Sequence, residues 1–210
     1  MTVKVQRFVV GELEANCYIY RDEATGRCAV IDPGDMSDAL AQAIEECGRD
    51  SFAYILLTHC HFDHVGGVVR VREMTGAPVA IHEYDAPGLR DAYVNLSGMW
   101  GGPRMIYPAA DKIFHDRETF QVGKTTFTVL HTPGHTAGSC CYLTEGLLFS
   151  GDTLFRESVG RTDFPGGSAQ EMRDSLAMLL DLPGDCIVYT GHYAHTTLSN
   201  EREYNPYVGF

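Results

Sequence analysis

Three stretches near the start of the chain, 3–10, 15–20 and 28–31, are rich in β-branched, aromatic and other apolar residues. Gly26 and Pro33-Gly34 punctuate them, which is the pattern of short strands joined by turns. After Ser37, a residue suited to cap a helix, Leu40, Ile44 and Cys47 recur at helical spacing and the run stops at Gly48. A short apolar run at 54–57 predicts a buried strand, and a polar, histidine-rich segment follows it at once. Residues 65–75 then predict one helix ending at Gly76, and 79–81 a strand. Between 84 and 111 no period survives the interruptions at Gly88, Gly98, Gly101, Gly102, Pro103 and Pro108. Strand patterns resume at 120–122, 125–130, 140–143 and 147–150. Ser168 and Glu171 form a capping box ahead of Met172, Leu176, Leu179 and Leu180 on one helical face. A last strand is expected at 187–189, and the tail from Thr196 is polar and ends Asn205-Pro206-Tyr207. Strands, helix, strand, helix, then strands, helix, strand suit two packed sheets with helices outside, in one domain over 1–210.

The 210 residues suffice for a real core, and the 44% hydrophobic and 21% charged fractions are those of an ordinary globular protein. Sixteen Lys and Arg against twenty-eight Asp and Glu leave a net charge of −12. With no basic stripe visible, nucleic acid is not expected as a partner. No apolar run reaches the roughly 18 residues of a membrane span, so no membrane association is expected. The first residues lack the apolar core of a secretion signal, since Gly11, Glu12 and Glu14 soon follow Phe8, Val9 and Val10. The seven cysteines, at 17, 28, 47, 60, 140, 141 and 186, are odd in number and form no CxxC pair. That usage fits reduced thiols and a cytoplasmic protein.

The chemistry concentrates at Thr58-His59-Cys60-His61-Phe62-Asp63-His64. In an extended stretch His59 and His61 point to one side while Cys60 points away, so both rings can reach one ion. Asp63 and His64 come after the chain bends and can face a neighbouring ion. Three further residues follow predicted strands: His135 in Thr132-Pro-Gly-His, Asp152 in Ser150-Gly-Asp, and His192 in Thr190-Gly-His. Seven imidazole and carboxylate donors exceed one tetrahedral site and suit zinc, iron, nickel or manganese. Two divalent ions would use them all, with His59, His61 and His135 on one, Asp63, His64 and His192 on the other, and Asp152 bridging.

This arrangement resembles the metallo-β-lactamase-fold superfamily. The likeness extends over nearly the whole chain through Asn16-Cys-Tyr, Ile31-Asp-Pro-Gly34, Thr58-His, Thr132-Pro-Gly-His135 and Gly151-Asp-Thr-Leu-Phe155. It implies an α+β, four-layer αβ/βα sandwich, with two mixed sheets, helices outside and metals at one edge between the sheets. True β-lactamases of this fold usually carry Cys where Asp152 stands. The stretch from Gly151 to Gly167 and the tail Thr196 to Pro206 resemble the short bacterial branch of glyoxalase II-like hydrolases. That branch usually has Gly-Pro after its last histidine ligand, where Tyr193-Ala194-His195 stand here.

The implied activity is hydrolysis of a small-molecule thioester, or a related anionic substrate, by hydroxide bridging two divalent metals. Zinc is expected first, with iron or manganese as alternatives. Asp63 and Asp152 are the candidate catalytic carboxylates. Arg161 is the candidate contact for an anionic substrate end, and Tyr193 and His195 are candidates for lining the substrate. Rival readings are a mono-iron persulfide dioxygenase using His59, His135 and Asp152, a hydrolase of a lactone or phosphoester, and a metal-binding protein without catalysis. Gly160 to Phe164 and Pro183 to Ile187 also resemble the dioxygenase family. His82, expected to open a helical segment, and His115 and His131, at strand ends, fall outside the ligand pattern. Trp100 and Tyr107 are candidates either for a pocket wall or for the packing of a surface flap.

Overall fold

A computed structural model describes residues 3–99 and 102–208. The first strands are β1 (Val3–Val10), β2 (Ala15–Asp22) and β3 (Cys28–Ile31), followed by helix α1 (Asp38–Cys47). Strand β4 (Phe52–Leu56), helices α2 (Phe62–Val65) and α3 (Val68–Thr75), and strands β5 (Val79–His82) and β6 (Lys112–Phe114) complete the first half. The second half holds β7 (Thr119–Val122), β8 (Thr125–His131), β9 (Cys140–Thr144) and β10 (Leu147–Gly151). A small hairpin of β11 (Leu154–Phe155) and β12 (Ser158–Val159), helix α4 (Ala169–Leu180), strands β13 (Ile187–Thr190) and β14 (Thr196–Thr197), and helix α5 (Leu198–Tyr204) follow.

One six-stranded sheet runs β1-β2-β3-β4-β5-β6 and the other β14-β13-β10-β9-β8-β7. Each mixes parallel and antiparallel pairs: β3-β4-β5-β6 are parallel in the first, and β10-β13 in the second. Side-chain alternation explains the layering. On β2, Cys17 and Ile19 face a core shared with α1 and α3, while Tyr18 and Tyr20 face the opposite sheet. On β9, Cys140 and Tyr142 face the first sheet, while Cys141 and Leu143 pack with Met172, Leu176 and Leu179 of α4. Both faces of these strands are therefore apolar, and the result is helix, sheet, sheet, helix. Aromatic rings fill the middle, with Tyr20 set edge-on to Phe127 at 4.9 Å and Phe114 stacked on Phe120 at 4.7 Å. Burying one such side chain stabilises the fold by about 1.5–3 kcal/mol.

Three differences from the sequence reading, and the order of a tail it left unassigned, have physical causes. The helix expected over 65–75 is broken at Gly66-Gly67, where the Pro33-Gly34-Asp35 backbone crosses and the Gly67 amide donates to the Pro33 carbonyl at 2.7 Å. The three-residue strand β6 emerges from an aperiodic segment because it pairs with β5. His82 ends β5 instead of opening a helix; it is buried and its ring stacks on His131 at 4.2 Å. The polar tail from Thr196 is ordered as β14 and α5. Thr197 caps the helix, and the fully buried Glu201 carboxylate accepts from the Glu157 amide, Thr196 Oγ1 and Asn205 Nδ2. No helix among the described residues is long and apolar enough to cross a membrane.

Candidate metal centre and its cavity

Four strand ends deliver the donors. The chain leaving β4 carries His59 and His61, and α2 turns it so that Asp63 and His64 face the same space. The chains leaving β8, β10 and β13 bring His135, Asp152 and His192. Two glycines permit the close approach. A Cβ on Gly191 would collide with the Asp152 carboxylate, and one on Gly34 with the Asp63 carbonyl.

His59, His61 and His135 form one group and Asp63, His64 and His192 another, the donor atoms of each lying within 4.8 Å of one another. Asp152 faces both. Its Oδ1 lies 3.3 Å from His64 Nε2, and its Oδ2 lies 3.5 Å from His135 Nε2 and 3.6 Å from His192 Nε2. Asp63 Oδ2 is 3.3 Å from His192 Nε2.

Hydrogen bonds on the far side of the rings assign their tautomers. His135 Nδ1–H donates to the Arg161 carbonyl at 2.7 Å, leaving Nε2 as a lone pair 2.9 Å from His61 Nδ1. The Thr58 hydroxyl donates to Asp32 Oδ2 at 2.6 Å and accepts from His59 Nδ1–H at 3.1 Å. His59 Nε2 thus faces the centre unprotonated. His59 Nε2, His61 Nε2 and Asp152 Oδ1 are buried without any hydrogen-bond partner. Buried polar atoms left unpaired are costly, and nitrogen lone pairs converging with carboxylates fit a divalent cation.

The two groups differ electrostatically. Burial, followed by the repulsion of neighbouring imidazoles, pushes His59 and His61 well below the usual histidine range. Burial acts the same way on His64, but Asp152, Asp63 and Asp32 outweigh it and raise that ring to about 10. His192 is also raised against burial, by Asp63 and Asp152. Asp63 is held below its ordinary value despite burial, by His64 and His192.

Two buried carboxylates, neither given a role in the sequence reading, organise the loops. Asp32 accepts from the Thr58 amide at 2.8 Å, from Thr58 Oγ1 and from His64 Nδ1 at 3.1 Å. Asp32, His59 and His64 also cluster, but those three donors already engage the Asp32 carboxylate. Its backbone φ of +50° lies in the left-handed region, which Asp tolerates better than most residues. Asp85 accepts from the Cys60 amide at 2.8 Å, Thr136 Oγ1 at 2.9 Å and the Gly138 amide at 2.7 Å. It ties the His59–His61 loop to the loop bearing His135. Asp32 stood in a motif quoted for the family resemblance, whereas Asp85 sits in the aperiodic segment and gave no signal.

A cavity of about 530 Å³ opens over the cluster. Its lining combines His61, Asp63, His135, Asp152 and His192 with the apolar and aromatic Leu13, Leu96, Phe155, Phe164 and Tyr193. Arg161 lies at its edge, where its guanidinium makes a two-pronged pair with Asp163 at 2.9 and 2.7 Å and covers the Phe164 ring at 4.3 Å. Tyr193 is 73% exposed. His195 does not line the cavity; its ring lies 6.3 Å from that of Tyr189. Cys60 turns into the core as alternation requires, and Tyr107 is packed there too. Trp100 lies outside the described residues.

The fold and these donors define a scaffold for metal-dependent hydrolysis. The family model of the metallo-beta-lactamase superfamily matches residues 10–192, and the chain belongs to that superfamily. It is 36% identical over 209 residues to a probable metallo-hydrolase, YqgX, of Bacillus subtilis, with 98% of each chain covered. It is 30% identical over 210 residues to the hydroxyacylglutathione hydrolase GloC of Haemophilus influenzae, again with 98% of each covered. Among solved structures, the BLEG-1 B3 metallo-beta-lactamase superposes with a TM-score of 0.91 at 34% identity, covering 99% of this chain and 100% of that one. The di-iron-bound form of TTHA1623 gives a TM-score of 0.85 at 35% identity, covering 97% and 100%.

Proposed function

We propose that this protein hydrolyses an acyl thioester with two divalent metal ions. His59, His61 and His135 would hold one, Asp63, His64 and His192 the other, and Asp152 would stand between them. The observation that carries this reading is the position of the Asp152 carboxylate, within 3.3–3.6 Å of imidazoles from both groups. The thioester draws support from the likeness to GloC over 98% of both chains. Zinc is the expected metal; an all-nitrogen-and-oxygen donor set also accepts iron or manganese, and TTHA1623 is a di-iron neighbour. Divalent ions bound there would supply hydroxide near neutral pH and Lewis acidity toward an acyl carbonyl. Asp63, which lines the cavity, would accept a hydrogen bond from the attacking oxygen. Asp32 and the Arg161 carbonyl orient His64 and His135 from behind. The thiolate leaves with little need of a proton, so no side-chain acid is required. Arg161 and Tyr193 would meet the substrate at the rim.

The deciding experiment measures metal per chain on protein purified without added metal and assays S-D-lactoylglutathione, a lactone, a phosphodiester and a cephalosporin on the same sample. β-Lactam cleavage, set aside in the sequence reading on Asp152 alone, belongs in that panel because of BLEG-1. About two metals with thioester turnover upholds the proposal. About one iron, no hydrolysis and oxygen uptake with a persulfide overturns it in favour of a dioxygenase.

The electrostatic difference between the two groups predicts how they fill with pH. Metal ligands must be unprotonated. His59 and His61 are already neutral at pH 7, whereas His64, raised to about 10, carries a proton that an ion displaces, and Asp63 and Asp152 push His192 in the same direction. Affinity at the Asp63–His64–His192 group should therefore rise by up to about tenfold per pH unit for each displaced proton. His59 and His61 add no such dependence near neutral pH. Titration calorimetry in buffers of different ionisation enthalpy should report the release of the His64 proton on binding at its group. In the metal-free protein the sign is opposite. The His64 contribution to stability is complete below its unfolded value near 6.5 and is lost as pH rises through about 10.

A further inference from the structure

A second cavity, of about 690 Å³, lies between α4 and the chain's last described residues. It adjoins the metal-centre cavity, because Val159 and Arg161 line both. Its far end is formed by Met172, Arg173 and Leu176 of α4 with Pro206 and Tyr207. No Asp or Glu lines it, although the chain carries a net charge of −12. Its two charged lining residues are both arginines. Arg161 has Nε and Nη2 on Asp163, which leaves Nη1 free to donate. Arg173 Nη2 donates to the neutral Gln170 Oε1 at 2.7 Å, and among the described residues no carboxylate pairs with Arg173.

We propose that this cavity holds the distal part of the substrate's thiol. The acyl carbon lies over the metal centre, the thiol arm passes across Val159 and Arg161, and an anionic group ends at Arg173. The apolar lining from Met172, Leu176 and Pro206 suits an uncharged arm. The two arginines select a thiol with a carboxylate or phosphate beyond it, since guanidinium binds either anion well. The inference rests on the thioester reading for the identity of the ligand. The shared lining by Val159 and Arg161 and the lack of acidic residues in the second cavity's described lining are observations independent of it.

Two charged thioesters are compared with uncharged counterparts of the same skeleton. One pair is N-acetyl-S-lactoylglutathione and its diethyl ester, and the other is S-lactoyl-4′-phosphopantetheine and S-lactoylpantetheine. In the wild type the anionic member of at least one pair should show the lower KM, and which pair does so distinguishes carboxylate from phosphate. Arg173→Ala should raise the KM of that anionic member about fivefold to tenfold while its kcat stays within about twofold, and Arg173→Lys should recover part of the loss. The preference for the charged member should shrink accordingly. Equal KM values within both pairs, or a preference untouched by Arg173→Ala, overturns the proposal. A direct readout separates this from failure of the thioester reading. S-methylglutathione and S-methyl-4′-phosphopantetheine are titrated calorimetrically into wild type and Arg173→Ala. If no thioester turns over, the thioester reading falls. Binding that Arg173→Ala weakens would still uphold an anion site, and absent or equal binding would overturn it.

Discussion

Replacing Asp152 with alanine should cut turnover by about 10³-fold or more and lower the metal content from about two ions per chain to about one. The side chain is only 8% exposed, and its Oδ1 is buried without a hydrogen-bond partner. Its two oxygens approach imidazoles of both histidine groups on the side that faces the cavity. Removing it withdraws a ligand and a negative charge from the point where His64, His135 and His192 converge. Charge stabilisation at a metal centre is worth several kcal/mol, and each 1.36 kcal/mol is tenfold in rate. Asp152→Asn keeps the side chain's size and removes only the charge. Equal losses in the two variants would assign the effect to the carboxylate, and full activity in either would sink the two-ion reading. Steady-state kinetics and elemental analysis on matched samples decide it.

Asp32→Ala should destabilise the protein by about 3–5 kcal/mol, because it strands three buried donors: the Thr58 amide, the Thr58 hydroxyl and His64 Nδ1. Each costs about 1–3 kcal/mol when left unpaired, although Thr58 Oγ1 can turn to another acceptor. Asp32→Asn should behave differently. The amide oxygen still accepts from Thr58, and Asn tolerates the φ of +50°. What it loses is the anion behind His64, one of the groups that raise that ring. Apparent metal affinity should fall about 10–100-fold while the melting temperature drops much less than in the alanine variant. Thermal unfolding with and without metal, together with competitive chelator titration, separates the two effects. An Asp32→Asn protein with undiminished affinity would reduce Asp32 to a purely structural role. No comparable separation exists for Asp85, whose donors are two amides and a hydroxyl from loops rather than a ring facing the centre.

All seven proposed ligands were legible as a set because histidine and aspartate clustered at the ends of apolar runs. Residue type and spacing carry that signal without any fold. His59 and His61 flank Cys60 by simple alternation, and the structure indeed turns Cys60 into the core. Arg161 stands on different ground. Its sequence position suggested a substrate contact, but only the coordinates bring Asp163 and Phe164 onto its guanidinium and place it in the lining of two cavities. His195 adjoins the His192 segment in sequence, yet its ring lies toward Tyr189. The tail carried no local signal of its order for a related reason. Its polar residues resemble a loop, yet Glu201, Thr197 and Asn205 are satisfied internally across β14, α5 and the β11–β12 hairpin.

By itself the sequence determined the strands and helices whose periodicity is local, the absence of a long apolar span, and the donor types of the centre. These depend on near neighbours along the chain, where alternation and capping act. Tertiary structure alone decided which donors share a group, that Asp32 and Asp85 hold the loops from behind, and that Gly66-Gly67 breaks the helix. It also decided that a cavity with no acidic residue in its described lining shares Val159 and Arg161 with the one over the metal centre. Each of these results from segments tens of residues apart meeting in space, and long-range pairing of two sheets leaves no periodic trace in either segment.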